Sequence, residues 1–257
     1  MWEIRENKIN NEKHEIRETE GFQVCVWEEM MNKKILCDGP DISEHNGIVN
    51  MKRVRDAGAK MIGLRAGYGK GNVDQRYMAN AEACYNLGID PVLYWKSYAY
   101  SENMAQSEGK EVVKQAAKFW KKCPIAFAFE HDSVNYARKN GVEISKDMET
   151  GLAIAFLKEI QEAGYIPVLY TNKDYIKRYF YTRDMAGELG VIYIWYARST
   201  SQLNREEVGL ADMWQYTSLG SWPGIEGNVN INHFYYDFRS ERNESKIELD
   251  AGRTGRI

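Results

Sequence analysis

The chain has 257 residues, of which 44% are hydrophobic and 28% charged, a balance typical of one large soluble domain or two small ones. Its formal net charge is −3 and its basic residues are spread along the sequence, so nucleic-acid binding is not expected. No apolar run approaches the roughly 20 residues that span a bilayer, and the highly charged N-terminus does not resemble a signal peptide.

The cysteines and histidines show no pattern of a disulfide framework or a metal centre. The cysteines form no CxxC pair, and free thiols are the predicted state. The histidines lack metal-type spacing such as HExxH. No metal and no cofactor are therefore predicted. These residues are Cys25, Cys37, Cys84 and Cys123, with His14, His45, His131 and His233.

Three segments differ in composition. Residues 1–36 are charge-dense and are predicted to be an N-terminal extension. From residue 37 onward, short runs rich in β-branched and aromatic residues alternate with longer amphipathic stretches, as in βα units around a parallel sheet. Residues 37–238 are thus expected to form one barrel domain, and residues 239–257 a polar C-terminal tail.

Eight strands and about five helices are predicted in this domain. The strands are expected over 37–43, 61–68, 91–99, 124–130, 165–171, 191–198, 211–216 and 229–236. Helices are expected over about 51–57, 74–86, 103–122 and 152–160, with Asp74 and Ser145 as candidate N-caps. The short, irregular segments between the last strands predict an α/β fold of the irregular TIM-like (β/α) barrel type.

Residues 124–133, PIAFAFEHDS, place one carboxylate at the end of a buried strand. Strand alternation puts Ala126, Ala128 and Glu130 on the same face. A carboxylate at the C-terminal tip of a barrel strand is a candidate general acid. A partner carboxylate two residues earlier is absent, because position 128 is alanine.

Acids, aromatic rings and amides at the other strand ends suggest a sugar site. Glycoside hydrolysis needs a proton donor and usually a second carboxylate, and aromatic rings stack on pyranoses. Two alternatives stay open, since aromatics in barrel strands are more often core and Asp41 is also a candidate helix cap. The candidates are Asp41, Arg65, Tyr68, Tyr98, Glu130, Tyr170, Trp195, Arg198, Trp214, Gln215 and Asn230.

Seven motifs, in this order over about residues 37–238, resemble the glycoside hydrolase family 25 lysozymes. They are DIS at Asp41, LRAGYG at Leu64, AFE ending at Glu130, VLYTN at Val168, WYAR at Trp195, WQYT at Trp214 and NVNIN at Asn228. The order and spacing of the motifs over some 200 residues are more specific than any single fragment.

The resemblance implies a muramidase that cuts the β-1,4 bond between N-acetylmuramic acid and N-acetylglucosamine in peptidoglycan, on an eight-stranded barrel with fewer than eight helices. The family's first-strand Asp corresponds to Asp41, and its D-x-E motif ends at Glu130, which makes these two the predicted catalytic residues. The motif Asp corresponds to Ala128, and the acid of the late V-D-x-N motif to Asn230. Two of four acids are replaced, so hydrolysis is expected to be weak or abolished.

Two hypotheses remain open: a muramidase with impaired catalysis, and a non-catalytic peptidoglycan-binding module on the same barrel. Both imply glycan strands as the partner, and action at the cell wall, outside the cytoplasm or after phage-driven release, as for autolysins and endolysins. The sequence does not indicate the oligomeric state.

Lys96 is an unusual charge in a barrel strand and is expected to reach the rim or pair with an acid. The expected substrate contacts are Arg65, Tyr68, Tyr98, Tyr170, Trp195, Arg198, Trp214, Gln215 and Asn230.

Overall fold

The computed structural model describes residues 33–240. Most of the predicted N-terminal extension (1–36) and most of the predicted tail (239–257) therefore lie outside the described residues. None of the helices between residues 33 and 240 is both long and apolar enough to cross a membrane.

Nine strands occur within residues 33–240, and eight of them correspond to the predicted ones. They are β1 Cys37–Ile42, β2 Met61–Tyr68, β3 Asn72–Val73, β4 Asp90–Lys96, β5 Pro124–Ala128, β6 Ile166–Asn172, β7 Tyr193–Ala197, β8 Met213–Gly220 and β9 Val229–Phe234. The two-residue strand β3 pairs antiparallel with the end of β2. It is too short to produce an alternating pattern in the sequence.

The other eight strands close into a barrel, which confirms the predicted fold class. From β1 the ring runs through β2, β4, β5, β6, β7, β8 and β9 and returns to β1. All neighbours are parallel except β9, which runs antiparallel to both β8 and β1. Only eight residues connect β8 to β9. A connection this short permits an antiparallel return but not a helical crossover, which makes the barrel irregular.

Eight α-helices lie in the described part of the chain, more than the five or so predicted. They are α1 Met51–Asp56, α2 Tyr77–Leu87, α3 Glu102–Ala116, α4 His131–Lys139, α5 Lys146–Glu162, α6 Lys173–Arg178, α7 Thr182–Leu189 and α8 Arg205–Leu210, with a 3-10 helix over Glu44–Asn46. Helices α6 and α8 have six residues each. So short a helix shows little 3.6-residue periodicity, and α1, which is equally short, could be predicted because Gly58 marks its end.

One of the two predicted helix caps is present. Ser145 caps α5, because its side chain accepts a hydrogen bond from the backbone N–H of Met148 at 3.2 Å. Asp74 was wrongly predicted to cap a helix. Helix α2 begins at Tyr77 with Arg76 as its N-cap, and the Asp74 carboxylate accepts hydrogen bonds from Arg65 Nε at 2.7 Å and from the N–H of Arg76 at 2.9 Å.

Strands β4 and β5 end earlier than predicted, at Lys96 and Ala128, which are opposite each other in the parallel ladder. Beyond this pair, the N–H of Ser97 donates to the carbonyl of Ala128 at 2.8 Å. Helix α4 then starts at His131, directly after Glu130. The apolar run PIAFAFE continues past the last ladder pair, so the sequence overestimates the length of β5.

The apolar core inside the barrel continues directly into polar side chains at its C-terminal end. On β4, for example, Val92 is fully buried in the core, and Tyr94 and Lys96 follow on the same face. On β4, the inward-facing side chains therefore change from core residues to site residues within four positions. The buried core cluster comprises Met61, Val92, Ala126, Ile166, Val168, Trp195, Met213, Phe234 and Phe238.

Residues 202–210, which contain α8, belong to a compact unit separate from residues 35–201 and 211–240. Within this segment, two backbone-to-side-chain hydrogen bonds connect Asn204 and Glu207. The N–H of Asn204 donates to Glu207 Oε2, and the N–H of Glu207 donates to Asn204 Oδ1, both at 3.0 Å. This pairing stabilises the first turn of α8.

Candidate functional site

A cavity of about 100 Å³ lies at the C-terminal ends of the parallel strands. In barrels of this type, the strand C-termini are where catalytic groups gather. We call it the carboxylate cavity. It is lined by Asp41, Tyr94, Lys96, Ala128, Glu130, Tyr170, Trp195, Gln215 and Asn230.

Asp41, at the end of β1, is the buried carboxylate of this cavity, with 4% of its surface exposed. Three side-chain amides donate to it: Gln215 and Asn232 to Oδ2, at 2.8 and 3.2 Å, and Asn230 to Oδ1, at 3.0 Å. Burial raises the pKa of Asp41, and the three hydrogen bonds oppose part of that rise. The amides also hold the carboxylate in one orientation.

Trp195 forms an aromatic wall with two tyrosines. Its ring meets Tyr94 and Tyr170 edge-on, with centroid distances of 5.5 and 5.2 Å. The indole Nε1 donates to Asn232 Oδ1 at 2.9 Å, and Tyr170 Oη donates to Gln215 Oε1 at 3.1 Å. Burial raises the pKa of both tyrosines well above the ordinary value, so their hydroxyls stay neutral. The wall and the Asp41 amides thus form one network.

Glu130 is the second carboxylate of the cavity, as the strand alternation predicts. It precedes α4 with an extended backbone (φ −133°, ψ −177°), so it continues the direction of β5 after the ladder ends. Its backbone N–H donates to Ser133 Oγ at 3.2 Å, which anchors the start of the helix. The side chain is 43% exposed and lies in reach of a ligand.

Lys96 pairs with acids, as one of its two sequence interpretations predicts. Its Nζ lies 3.3 Å from Glu130 Oε2 and 2.6 Å from Asp132 Oδ2. Burial lowers the pKa of Lys96, but the hydrogen bond with Asp132 and the charges of both acids outweigh it and raise that pKa overall. Lys96 is therefore an ammonium ion between two carboxylates.

A larger groove, about 1000 Å³ in volume, contains two further predicted contacts, Tyr68 and Tyr98. Tyr98 Oη donates to Asp132 Oδ2 at 3.0 Å, and Asp132 in turn pairs with Lys96. Asp132 thus lies between this groove and the carboxylate cavity. We call it the tyrosine groove, because Tyr68, Tyr98, Tyr100 and Tyr136 line it.

Three predicted contacts line neither cavity. Arg65 is buried, with its Nε 2.7 Å from Asp74 Oδ2 and its Nη2 2.9 Å from Glu44 Oε1, so its guanidinium is bound within the protein. Trp214 donates from Nε1 to the carbonyl of Arg198 at 2.9 Å. Trp214 is adjacent to Gln215, which faces Asp41, so the alternation of β8 turns the indole away from the cavity. These positions do not support direct substrate contacts by Arg65 or Trp214, and contact by Arg198 stays a prediction.

The sequence model of the glycosyl hydrolases family 25 matches residues 40–225. The chain belongs to glycosyl hydrolase family 25. No curated protein matches it by sequence. Among solved structures, the modular autolysin LytC from Streptococcus pneumoniae, in complex with a synthetic peptidoglycan ligand, is 25% identical with a TM-score of 0.63, and the match covers 76% of this chain but only 46% of LytC.

Two further structures share the fold. The CTP1L endolysin is 20% identical with a TM-score of 0.65, and 81% of this chain and 70% of that chain are covered. A family 25 glycosyl hydrolase from Bacillus anthracis is 17% identical with a TM-score of 0.61, and 80% and 92% of the two chains are covered.

In this family 25 barrel, both positions where the motif resemblance expects acids face the carboxylate cavity. Ala128 contributes only a methyl group to the lining. Asn230 donates its amide to Asp41, a bond that an ionised aspartate cannot make. Within residues 33–240, no group of three or more His, Cys, Asp or Glu side chains is arranged to hold a metal ion.

Two residues of the family 25 site were absent from the predicted set, Tyr94 and Asn232. Tyr94 lies two residues before Lys96, so strand alternation places both on one face. Asn232 lies two residues after Asn230 in the NVNIN motif, on the same face of β9. Strand alternation therefore predicts both residues, Tyr94 from Lys96 and Asn232 from Asn230.

Proposed function

We propose that this chain is a peptidoglycan-directed glycoside hydrolase of the muramidase type, with weakened catalysis. Its substrate would be the β-1,4 bond between N-acetylmuramic acid and N-acetylglucosamine. The observation that carries the proposal is the convergence of Asp41 and Glu130 on one aromatic-walled cavity at the end of a family 25 barrel. The LytC complex with a peptidoglycan ligand supports the choice of polymer.

The proposed roles follow from exposure. Glu130 is the more accessible carboxylate and would protonate the glycosidic oxygen of the leaving sugar. Asp41 is buried and held by three amides, so it would stabilise positive charge at the sugar carbon rather than move. Tyr170 would offer apolar surface to the sugar ring, and the buried Trp195 ring would hold Tyr170 in place.

Ala128 is the proposed cause of the weakened catalysis. A carboxylate at this position would act on charge that develops only in the transition state. Its loss lowers turnover and leaves ground-state binding largely intact. The methyl side chain of Ala128 is also the observation that favours the second candidate function, a non-catalytic peptidoglycan-binding module acting at the cell wall outside the cytoplasm.

Purified cell walls test both candidates. The parent chain should sediment with walls, and it should release reducing ends about 100-fold or more slowly than an active family 25 lysozyme assayed alongside. Glu130→Gln should abolish the remaining release but keep sedimentation. Glu143→Gln is the matched control, since Glu143 is an exposed acid paired with Arg138 on the protein surface.

The possible results separate the two candidate functions. Release of reducing ends at the rate of the active lysozyme would refute the claim of weakened catalysis. Sedimentation without any release would favour the binding module. Failure of the parent chain to sediment with walls would refute both.

A further inference from the structure

Lys96 is placed next to the position that the family motif assigns to an aspartate. Lys96 and Ala128 are opposite each other at the ends of β4 and β5. Strands paired in this way lie about 4.8 Å apart. The lysine side chain is three-quarters buried and extends past the Ala128 methyl to Glu130 and Asp132. The ammonium therefore lies along the boundary between the carboxylate cavity and the tyrosine groove.

This contact opposes the chemistry expected of Glu130. A proton donor must be free to reach the glycosidic oxygen, and the ion pair engages one oxygen of the Glu130 carboxylate with Lys96 instead. Lys96 also acts on a second acid. Despite partial burial, the hydrogen bond and charge of Lys96 lower the pKa of Asp132. Glu130 Oε2 lies 3.3 Å from the same ammonium.

We propose that Lys96 is a positioning residue whose ion pair restrains the Glu130 carboxylate, so that hydrolysis is limited by Lys96 as well as by Ala128. This inference rests on the proposed function of Glu130 as the acid. It has a consequence for any attempt to restore activity. An aspartate introduced at position 128 would lie beside Lys96 in the ladder, and the ammonium would neutralise the new charge. Restoring the motif alone should therefore fail.

The experiment compares four chains: the parent, Ala128→Asp, Lys96→Met, and the double variant. Release of reducing ends from purified walls should remain far below that of an active family 25 lysozyme in both single variants. The double variant should exceed Ala128→Asp by about 100-fold, the order expected when general acid catalysis is regained. Lys96→Arg in the Ala128→Asp background keeps the cation and should stay as slow as Ala128→Asp alone.

Lys158→Met is the matched control for losing a paired lysine. Lys158 Nζ lies 2.7 Å from Glu188 Oε2, on helices α5 and α7. In the Ala128→Asp background this substitution should leave the rate unchanged. Thermal unfolding of each variant shows whether it is folded, and Lys96→Gln replaces Lys96→Met if the latter unfolds.

An NMR titration of the Lys96 ammonium provides a readout that needs no activity. Because Glu130 and Asp132 raise the pKa of Lys96, both Glu130→Gln and Asp132→Asn should lower it. An unchanged titration would show that the ion pairs do not form and would overturn the proposal.

Kinetic results can overturn the proposal independently. Full rescue by Ala128→Asp alone would do so, as would a double variant that binds walls but stays inactive. In the latter case the proposed glycan binding would stand. Loss of wall binding by the parent, in contrast, would refute the proposed function and not the ion-pair arrangement.

Discussion

Gly63 on β2 allows Asp41 and Trp195 to approach each other inside the barrel. A Cβ atom at position 63 would lie 2.3 Å from the Cβ of Asp41 and 2.6 Å from Cη2 of Trp195. Carbon atoms in contact are normally about 3.5–4.0 Å apart, so Gly63→Ala requires shifts of about 1 Å. Neither neighbour can yield freely. Asp41 is held by three amides, and the Trp195 indole is anchored to Asn232 at 2.9 Å.

The expected cost of Gly63→Ala is that of overpacking a core, about 1–3 kcal/mol of unfolding free energy. For a chain of this size, each kcal/mol corresponds to about 2–4 °C in Tm, so the substitution should lower Tm by about 2–12 °C. Because the displaced groups line the carboxylate cavity, wall binding should weaken in the same variant.

Thermal unfolding and wall sedimentation measure these two effects. Gly187→Ala is the control, because Gly187 lies within helix α7 and a Cβ there meets no atom within 4 Å. That change should stabilise the helix by up to about 1 kcal/mol. A Gly63→Ala protein with the parent Tm and the parent wall affinity would refute the close packing described for this site.

Three further substitutions test buried charges. Glu149 is buried, neither of its carboxylate oxygens has a hydrogen-bond partner within residues 33–240, and burial raises its pKa to about 9. The folded protein thus holds a proton that the unfolded chain releases above about pH 4.5, and stability falls as pH rises toward 9. Glu149→Met should raise the urea midpoint at pH 8 and do so much less at pH 4. Arg65→Met should cost about 3–5 kcal/mol by leaving the buried Asp74 without its counter-ion, and an unfolding midpoint equal to the parent's would contradict a stabilising role of this ion pair. Asn230→Asp replaces an amide donor, 3.0 Å from Asp41, with a second carboxylate. It should raise the pKa of Asp41 further and lower the urea midpoint more at pH 8 than at pH 5, and an equal loss at both values would contradict this.

The strands could be predicted from local sequence because their side chains alternate regardless of the rest of the fold. Ala128 and Glu130 share a face in the structure as the sequence predicts, although the strand itself ends at Ala128. By the same rule, Trp214 and Gln215 are adjacent on β8 and cannot both face the cavity, and the structure places Gln215 there.

The partners of charged residues could not be predicted in the same way. Arg65, in the LRAGYG motif, has a side chain of the type that binds sugars. In the structure, however, its guanidinium is bound by Asp74 and Glu44. Helices α6 and α8 were also missed, because six residues with no glycine directly after them show too little periodicity.

The sequence by itself determined the barrel, the family and the two carboxylates of the candidate site, since strand alternation and motif order are properties of short segments. Only the tertiary structure decided what surrounds those carboxylates. Asp41 is held by amides 174 and 189 residues further along the chain, which reach it because the last strands close the ring. Lys96 meets Glu130 because β4 and β5 end at the same level. Such contacts depend on strand register and barrel closure, and no local pattern encodes them.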